Sequence, residues 1–330
     1  MKKKLITPCI LLFFLTTVIP AKLYAQRFIL LNTNKTIYQN ITKGDSAFFN
    51  NNFKESIRLY KELMAGSYDE HIYLNQIQNY LSDQDTDHAV EIVSLMADSG
   101  FYKFWLLEKD SAYTHLKQSR FYLPVLKKLR ANFNAYILKN NITKPLIAEQ
   151  IMWMSYLDQY YQWISSFKIR YRQAYPKLSK DQVDTLTIQT MAKNTESLKQ
   201  LFSSHGYLWH KEIGEIATHQ IWLMIQHADK DIPFQESYLK QLKLATEKKQ
   251  ASILDLAYLT DRLAKNKGQK QLYGTQMNYK TIADPVKGKI PVMEPWPVEN
   301  PEKLDERRKE AGLMPMNQYL EMMRQLNGWK

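Results

Sequence analysis

The sequence predicts an all-α protein, in which N-terminal helical hairpins precede a helical domain with a small β-hairpin near its C-terminal end. Three observations support this class. A pattern of small and apolar residues repeats after 33 positions in the first part of the chain, apolar residues recur at helical spacing beyond residue 145, and two strand-like stretches flank the sequence ADPVKG. A period of 3.6 residues is typical of a helix that buries one face, whereas a half-buried strand alternates.

Residues 1–25 have the pattern of a secretory signal peptide. Lysines at positions 2–4 precede a mostly apolar run from Leu5 to Ile19, and Ala25 supplies a small residue before the expected cleavage point. An uncleaved membrane anchor is the alternative, but the apolar run is short for a bilayer span. We therefore expect a periplasmic or secreted protein with no integral membrane segment after cleavage.

Composition excludes several classes of function. Cys9 is the only cysteine and lies in the predicted signal peptide, so the mature chain is expected to lack disulfides, catalytic thiolates and cysteine-ligated zinc. The net charge of +12 falls to +8 once the four lysines of residues 1–25 are removed, and basic residues are mixed with acidic ones throughout. This mixture is typical of a solvated surface, so no nucleic-acid partner is predicted.

Residues 35–135 are predicted to form a helical repeat region. Three pairs of equivalent positions lie 33 residues apart: Ser56 and Ala89, Tyr60 and Val93, and Met64 and Ala97. A small residue followed four positions later by an apolar one resembles the second helix of a tetratricopeptide repeat, whose period is about 34 residues. Such repeats bind a protein or peptide partner or pack on a neighbouring domain, and both alternatives remain open.

Residues 146–326 are predicted to form a second domain, because the turn-forming residues 140–145 end in a proline. Within this domain, residues 219–235 read HQIWLMIQHADKDIPFQ and combine core-forming residues with two histidines, three glutamines and two aspartates. Burying an unpaired imidazole or amide costs about 1–3 kcal/mol, so each of these polar groups needs a partner. The partners are either other core side chains or a ligand.

A helix from Glu212 to about Ala228 is expected to carry most of this polar block. Residues seven apart differ by only ~20° around a helix, so the polar side chains should occupy one sector. Pro233 disfavours a helical conformation just before it, which places Asp229 and Asp231 in or beyond the last turn. Carboxylates there oppose the helix dipole, so a protonated His227, an arginine or a metal ion is expected nearby.

The next helix is predicted to run from Ser252 to Gly268. Ser252 and Asp255 have the spacing of a capping box, with aspartate in the place of glutamate. Asp255 shares one side of this helix with Tyr258 and Arg262. Asp261 is spaced to form a surface pair with Lys265, which would contribute a few tenths of a kcal/mol.

Four short motifs follow one another in the second domain: QHAD at 226–229, DLAYLTDR at 255–262, YGTQ at 273–276 and DERRKEAGLMPMNQY at 305–319. In this order they resemble a bacterial domain-of-unknown-function family, and the likeness covers roughly residues 146–325. That family has no established activity. The resemblance therefore implies the positions of motifs and no mechanism.

Two functions remain open. The first is an exported binding or scaffold protein of unknown ligand, whose repeats hold a partner and whose polar block forms a pocket or a hydrogen-bond network. The alternative is an exported hydrolase-like enzyme in which His227 is the general acid or base and Asp229 or Asp231 orients it. Arg262 would then bind an anionic group. The sequence has no nucleophile elbow, phosphate loop or HExxH motif, so no reaction class is selected.

A small polar or anionic ligand would be bound by side chains of the polar block and of the motifs: His219, Gln220, Gln226, Gln235, Asp255, Tyr258, Asp261, Arg262, Tyr273, Gly274, Thr275, Gln276, Arg307 and Arg308. No metal site is predicted, because His219 and His227 lie eight residues apart and diverge by ~80° around a helix. The identity of any cofactor stays open.

Overall fold

The computed structural model describes residues 35–66, 70–166, 179–284 and 288–327. Within these residues the fold is all-α with a small antiparallel β-hairpin near the C-terminal end, which confirms the predicted fold class. The predicted signal peptide lies outside the described residues.

The chain packs as two compact units, which are described separately. One unit contains Ile142–Asp158 and the described residues from Ile188 onward. The other contains the described residues up to Asn141, together with those between Gln159 and Thr187.

Consecutive helices build the part of the chain before residue 141: α1 (Lys35–Phe49), α2 (Phe53–Gly66), α3 (Glu70–Ser82), α4 (Thr86–Asp98), α5 (Trp105–Lys109) and α6 (Tyr122–Lys139), with a 3₁₀-helix at Ser111–Gln118. Each of the first three packs against the next, and α6 packs against α4. The aligned positions Ser56, Ala89, Tyr60 and Val93 are all buried, as expected for residues at helix–helix contacts. Whether these hairpins are tetratricopeptide repeats stays a prediction.

Buried polar side chains hold the first helices close together. The hydroxyl of Ser56 in α2 lies 2.8 Å from the carbonyl oxygen of Gly44 in α1 and 2.9 Å from Oδ1 of Asn79 in α3. The hydroxyl of Tyr60 donates a hydrogen bond of 2.7 Å to Asp45. A buried hydroxyl without partners would cost about 1–3 kcal/mol, so these contacts stabilise the packing of three successive helices.

The chain continues through five helices: α7 (Pro145–Ser166), α8 (Lys180–His205), α9 (His210–Gln226), α10 (Ile232–Glu247) and α11 (Ile253–Asn266). Both α9 and α10 pack against α11. Their buried side chains include Ile221, Leu223, Leu242 and Leu259, so α11 lies at the centre of this core.

Capping residues lie at the ends of α8 and α11. Ser179 and Gln182 cap α8 reciprocally, because the backbone N–H of each donates to the side chain of the other. Gly206 follows α8 with a φ of 69°, and Gly268 follows α11 with a φ of 70°. Glycine adopts this left-handed conformation without strain, which is why it often ends helices.

Asp229 lies just beyond the end of α9 and pairs with an arginine, Arg262, as expected, but the expectation that Asp231 also opposes the dipole of α9 was wrong. The helix α9 ends at Gln226, and Asp231 is the N-cap of α10, where its carboxylate accepts a hydrogen bond of 3.2 Å from the backbone N–H of Phe234. A carboxylate at a helix N-terminus is stabilised by the dipole. The helix α9 ends before Pro233, as predicted, and Pro233 lies in the first turn of α10.

The predicted hairpin is confirmed as β1 (Met277–Asp284) paired antiparallel with β2 (Gly288–Pro295). Two short helices follow, α12 (Leu304–Glu310) and α13 (Met316–Asn327). Met277, at the start of β1, packs in a small buried cluster with Tyr319 and Met323 of α13. The hairpin is therefore anchored at its base by the last described helix.

Among residues 35–66, 70–166, 179–284 and 288–327, no helix is both long enough and apolar enough to cross a lipid bilayer. The longest of these helices, α8, carries charged residues along its length.

Candidate functional site

The YGTQ motif forms a loop around the carboxylate of Asp261. Asp261 is fully buried in α11 and accepts hydrogen bonds of 2.8–3.1 Å from the backbone N–H groups of residues 272, 273 and 275, and one of 2.9 Å from the Thr275 hydroxyl. Burial raises the pKa of Asp261, and these hydrogen bonds oppose the shift. The carboxylate fixes the loop by pairing backbone donors that would otherwise be buried alone.

The predicted surface pair of Asp261 with Lys265 was therefore wrong. Asp261 points into the interior, and the ammonium group of Lys265 donates a hydrogen bond of 2.8 Å to the backbone carbonyl of Met277. Spacing along a helix identified two side chains that could meet, but the backbone donors of a loop eleven to fourteen residues later bind the carboxylate instead.

Arg262 joins the LTDR motif to the QHAD motif. Its Nε donates to Oδ1 of Asp229 at 2.9 Å, its Nη2 donates to Oδ2 of the same carboxylate, and its Nη1 lies 3.4 Å from Oε1 of Gln276. Asn266 donates to Asp229 at 2.7 Å and to Gln235 at 3.1 Å. Burial opposes ionisation of Asp229, but the charge and hydrogen bonds of Arg262, together with the hydrogen bond from Asn266 and the charge of His227, outweigh it, so the pKa of Asp229 is lowered.

Two glutamines brace the start of the hairpin. The Gln271 side chain accepts a hydrogen bond of 2.8 Å from the backbone N–H of Gln276. Its amide group donates to the carbonyl of Gln276 at 3.0 Å and to that of Trp296 at 2.6 Å. Both glutamine side chains are buried, and Gln271 uses both ends of its amide to bind backbone on either side of the hairpin.

The arginines of the DERR motif bind the other face of the YGTQ loop. Arg307 donates to the carbonyl of Leu272 at 2.9 Å, and Arg308 donates to the carbonyl of Tyr273 at 2.5 Å and to that of Met314 at 2.7 Å. Burial lowers the pKa of Arg308. Its guanidinium lies 4.9 Å from the centre of the Tyr319 ring. The loop thus has its N–H groups bound by a carboxylate and its carbonyl groups bound by guanidinium groups.

Gly274 is required by the conformation of this loop and by its surroundings. Its φ is 68°, and a Cβ at this position would lie 3.1 Å from the sulfur of Met316. An L-residue with a side chain would be strained here for both reasons. The backbone conformation and the close approach of Met316 therefore both favour glycine at this position. We define the motif network as the following residues: Asp229, Asp261, Arg262, Asn266, Gln271, Gln276, Arg307 and Arg308.

His227 is paired with Asp158 of α7. Nδ1 of His227 lies 2.7 Å from Oδ2 of Asp158, and the two side chains are 4% and 0% exposed. Asp229 pairs with Arg262, and Asp231 pairs with Lys199 at 2.6 Å besides capping α10. The three residues predicted to act together in catalysis therefore belong to three separate pairs. Their catalytic roles stay a prediction that this arrangement does not favour.

His219 is paired with Asp255, which links α9 to α11. Nδ1 of His219 lies 2.9 Å and 3.0 Å from the two carboxylate oxygens. The capping-box role expected for Asp255 was wrong, because Ser252 caps α11 alone by accepting from the backbone N–H of Leu254. A carboxylate bound to Nδ1 fixes the ring orientation of a histidine, an arrangement found both in buried structural pairs and in reactive sites.

The remaining predicted binding residues lie around these pairs. Gln226 is buried, and Gln235 donates to the carbonyl of Ile225 at 3.0 Å. The ring of Tyr258 lies 6.2 Å from that of Trp222 in a perpendicular arrangement. Oε1 of Gln220 is buried and has no hydrogen-bond partner among the described residues. The roles of these residues in binding a ligand stay predictions.

Three residues that contribute most to these contacts were not predicted as site residues. Asp158 interrupts an apolar helical face, which is a signal of a buried partner. Asn266 is spaced four residues after Arg262 and so lies on the same face of α11. For Gln271, the sequence indicated only that an amide side chain lies close to the YGTQ motif. Within the described ranges, no three His, Cys, Asp or Glu side chains are grouped so as to hold a metal ion.

Residues 177–330 match the model of a family of unknown function, DUF6624. This match covers most of the predicted second domain and all four of its motifs, and it assigns no activity. Comparisons with curated proteins and with solved structures find no match.

Proposed function

We propose that the protein is an exported binding or scaffold protein, in which the helical repeats hold a protein or peptide partner and the motif network stabilises the domain that follows. Export is supported by the signal-peptide pattern of residues 1–25. The structural role of the motif network rests on one observation: Asp261 and Arg262 of the LTDR motif and Arg308 of the DERR motif bind groups of the protein itself.

Hydrogen-bonding capacity supports a structural role for these side chains. A guanidinium has five N–H donors, and Arg262 directs all three of its nitrogens at Asp229 and Gln276. Arg308 is almost completely buried and binds two backbone carbonyls. An anionic ligand bound by either arginine would have to displace these contacts. A largely buried network of paired side chains of this kind favours one packing of the surrounding helices.

Exposed apolar side chains on α6 support a partner for the repeats. Leu123 is 70% exposed and Leu138 is 77% exposed, and Phe121 just before the helix is also exposed. The two leucines lie fifteen residues apart, which is ~60° around a helix, so they share one side of α6. Exposed apolar groups on one side of a helix favour contact with an apolar partner surface.

Replacing Arg262 with alanine is expected to lower the free energy of unfolding by about 2 kcal/mol, because Asp229 and Gln276 lose their partner. The matched control is Arg324→Ala in α13, whose arginine is exposed and pairs only with the exposed Glu321 among described residues. Urea denaturation followed by circular dichroism measures both variants. If Arg262→Ala were as stable as the Arg324 variant, the motif network would not be a structural brace.

The contribution of the Arg262 pair depends on pH in a defined direction. Because the pKa of Asp229 is lowered in the folded state, the stabilisation is present above the usual carboxylate pKa of about 4 and is lost as the pH falls through the lowered value. The stability difference between wild type and Arg262→Ala should therefore narrow in acid.

Replacing Leu123 and Leu138 with glutamate is expected to weaken peptide binding at least tenfold and to change the unfolding free energy by less than about 0.5 kcal/mol, since both side chains are exposed. The probes are peptides selected from a displayed library against the full chain. Ile253→Glu is the control, because Ile253 is an exposed apolar residue at the start of α11. Selected peptides that bind the double variant as tightly as wild type would contradict a binding role for this side of α6.

The hydrolase alternative has weaker support. It requires His227 to act with Asp229 or Asp231 at a place that substrate can reach. His227 is instead almost completely buried beside Asp158, and Asp231 caps a helix.

A further inference from the structure

The register of the β-hairpin determines which backbone groups its two edges expose. Among the described residues the sheet contains only β1 and β2, so each strand pairs on one side. In an antiparallel pair, positions whose N–H and C=O groups bind the partner strand alternate with positions whose groups point away from it. This alternation decides what each edge offers to a further strand.

Two hydrogen bonds at the base of the hairpin fix the alternation. The N–H of Trp296 donates to the carbonyl of Gln276 at 2.9 Å, so these two residues face each other across the strands. The next pair, Met277 with Pro295, must then point outward. Lys265 donates to the carbonyl of Met277 at 2.8 Å, as an outward-pointing group allows. Outward positions therefore recur at every second residue from Met277 onward.

The two edges differ in the hydrogen-bond donors that they present. The outward positions of β2 include Pro291 and Pro295, which lack an N–H group and interrupt a ladder with any further strand. The outward positions of β1 beyond its base are residues 279, 281 and 283, none of which is proline. Proline is one means by which proteins protect a sheet edge from pairing. The open edge is therefore that of β1, and the outer side of residues 279–284 is named here the β1 edge.

The base of the hairpin is buried, whereas its middle is exposed. Met277 and Met293 lie on one face of the hairpin and pack against α13. Ile282 lies five residues further along β1 and is 44% exposed. A two-stranded hairpin is only marginally stable in water by itself, and additional strands stabilise it. The part of the hairpin beyond its base would therefore be stabilised by a further strand.

The order of residues along β1 makes its edge complementary to itself. The alternation of a strand places Lys280, Ile282 and Asp284 on the same face. When two copies pair antiparallel about a twofold axis at Ile282, Lys280 of each copy lies opposite Asp284 of the other. The two isoleucines then lie opposite each other, and the outward positions 281 and 283 form the ladder. Opposite charges and apolar pairs directly across two strands stabilise a sheet.

Neighbouring registers lack this complementarity. Outward positions must face outward positions, so the axis can move only in steps of one residue. An axis at Thr281 sets Lys280 opposite Ile282, and an axis at Lys280 sets two lysines opposite each other, which is destabilising. Lys280 also pairs with Glu294 of its own hairpin, and both side chains are exposed. An ammonium group has three donors and can bind a second carboxylate.

We propose that the β1 edge binds the β1 edge of a second copy of this chain, which joins two hairpins into one four-stranded antiparallel sheet in the order β2–β1–β1–β2. The contact is isologous, because the same residues take part on both sides, so it closes at two copies. It involves few residues, and interfaces of small area associate weakly. The contact uses neither the exposed leucines of α6 nor the motif network.

Sedimentation equilibrium of the full chain at increasing concentration measures this association. We expect a monomer–dimer equilibrium with a Kd of about 0.1 mM. A chain that stays monomeric up to about 1 mM would overturn the proposal. If peptides selected against the full chain protected the backbone amides of β1 in such a monomer, the edge would instead belong to an extended peptide partner.

Proline substitutions on the two edges are matched variants. Thr281→Pro removes an outward N–H group from β1 and leaves the ladder with β2 intact, so it should raise the Kd about tenfold or more. Lys289→Pro makes the same backbone change on the outward side of β2 and should leave the Kd unchanged. A dimer that tolerates Thr281→Pro, or that both prolines weaken equally, would show that the copies associate through another surface.

A single thiol tests the register. In a Cys9→Ser background, Ile282→Cys introduces the only cysteine of the chain. Opposed residues that do not bind each other through the backbone have Cα atoms about 4.5 Å apart, which is within the range for a disulfide. Oxidised glutathione, which is reduced to two thiols as the new disulfide forms, should link two copies of this variant. Lys280→Cys in the same background should be linked about tenfold less, since its counterpart is Asp284. Equal linkage of both variants would contradict the proposed contact.

Discussion

Replacing His227 with alanine is expected to lower the free energy of unfolding by about 3 kcal/mol, because the buried carboxylate of Asp158 then loses the imidazole bound to it. Asp158 is completely buried, so water cannot replace the missing donor. Urea denaturation followed by far-ultraviolet circular dichroism measures the change, with the linear dependence on denaturant giving the free energy. Asp158→Ala should have an effect of similar size, since it leaves the imidazole without the carboxylate.

A surface pair of the same residue types is the matched control. His88 lies 2.7 Å from Asp85, but the side chains are 55% and 36% exposed, so His88→Ala should cost less than about 1 kcal/mol. The double variant His227→Ala with Asp158→Ala should lose less than the two single variants together, because the residues are in contact. Equal and small losses for the buried and the surface pair would show that His227 is not needed for the fold, and would return it to consideration as a reactive group.

Replacing Asp261 with asparagine is expected to lower the free energy of unfolding by about 3 kcal/mol, although the side chains have nearly the same size. The carboxylate accepts hydrogen bonds with both oxygens, whereas an amide presents a donor to the backbone N–H group facing it. Thermal and urea denaturation measure this loss. Asp83→Asn, at an exposed position between α3 and α4, makes the same chemical change and should have almost no effect.

Hydrogen exchange locates the effect of the Asp261 substitution. The amide protons of Leu272, Tyr273 and Thr275 are expected to exchange faster in Asp261→Asn, since each donates to the lost carboxylate. The amide of Gln276 donates to Gln271 and should be less affected. Unchanged protection of all four amides would contradict the role of Asp261 in holding the loop.

Much of the fold follows from local rules. Gly268 was predicted to end a helix and does so, because glycine adopts the left-handed conformation that ends helices. The proline at the predicted domain boundary, Pro145, opens α7, because its fixed φ suits the first helical turn. The hairpin was predicted from two short stretches around a turn sequence. Pro233 shows the limit of such rules: it correctly separated two helices, but the helix that it opens gives Asp231 the opposite role from the one expected.

The partners within the site could not be predicted in the same way. The polar residues were identified because buried polar groups need partners, yet the rule does not say which partner each will find. His227 was expected to pair with Asp229 or Asp231, which are close to it in sequence. Its partner is Asp158, which lies 69 positions earlier and is brought to His227 by the packing of α7. The same is true of Asp255 with His219. Spacing along one helix identifies a shared face, whereas pairing across helices depends on the tertiary arrangement.

The two-sided binding of the YGTQ loop has a consequence for where this domain ends. The carbonyls of Leu272, Tyr273 and Thr275 accept hydrogen bonds from Arg307, Arg308 and Tyr319. A truncated chain that ended after β2 would keep every residue of the two strands. It would lack Arg307, Arg308 and Tyr319, which donate these three hydrogen bonds. The smallest fragment able to reproduce the loop therefore has to extend past Tyr319.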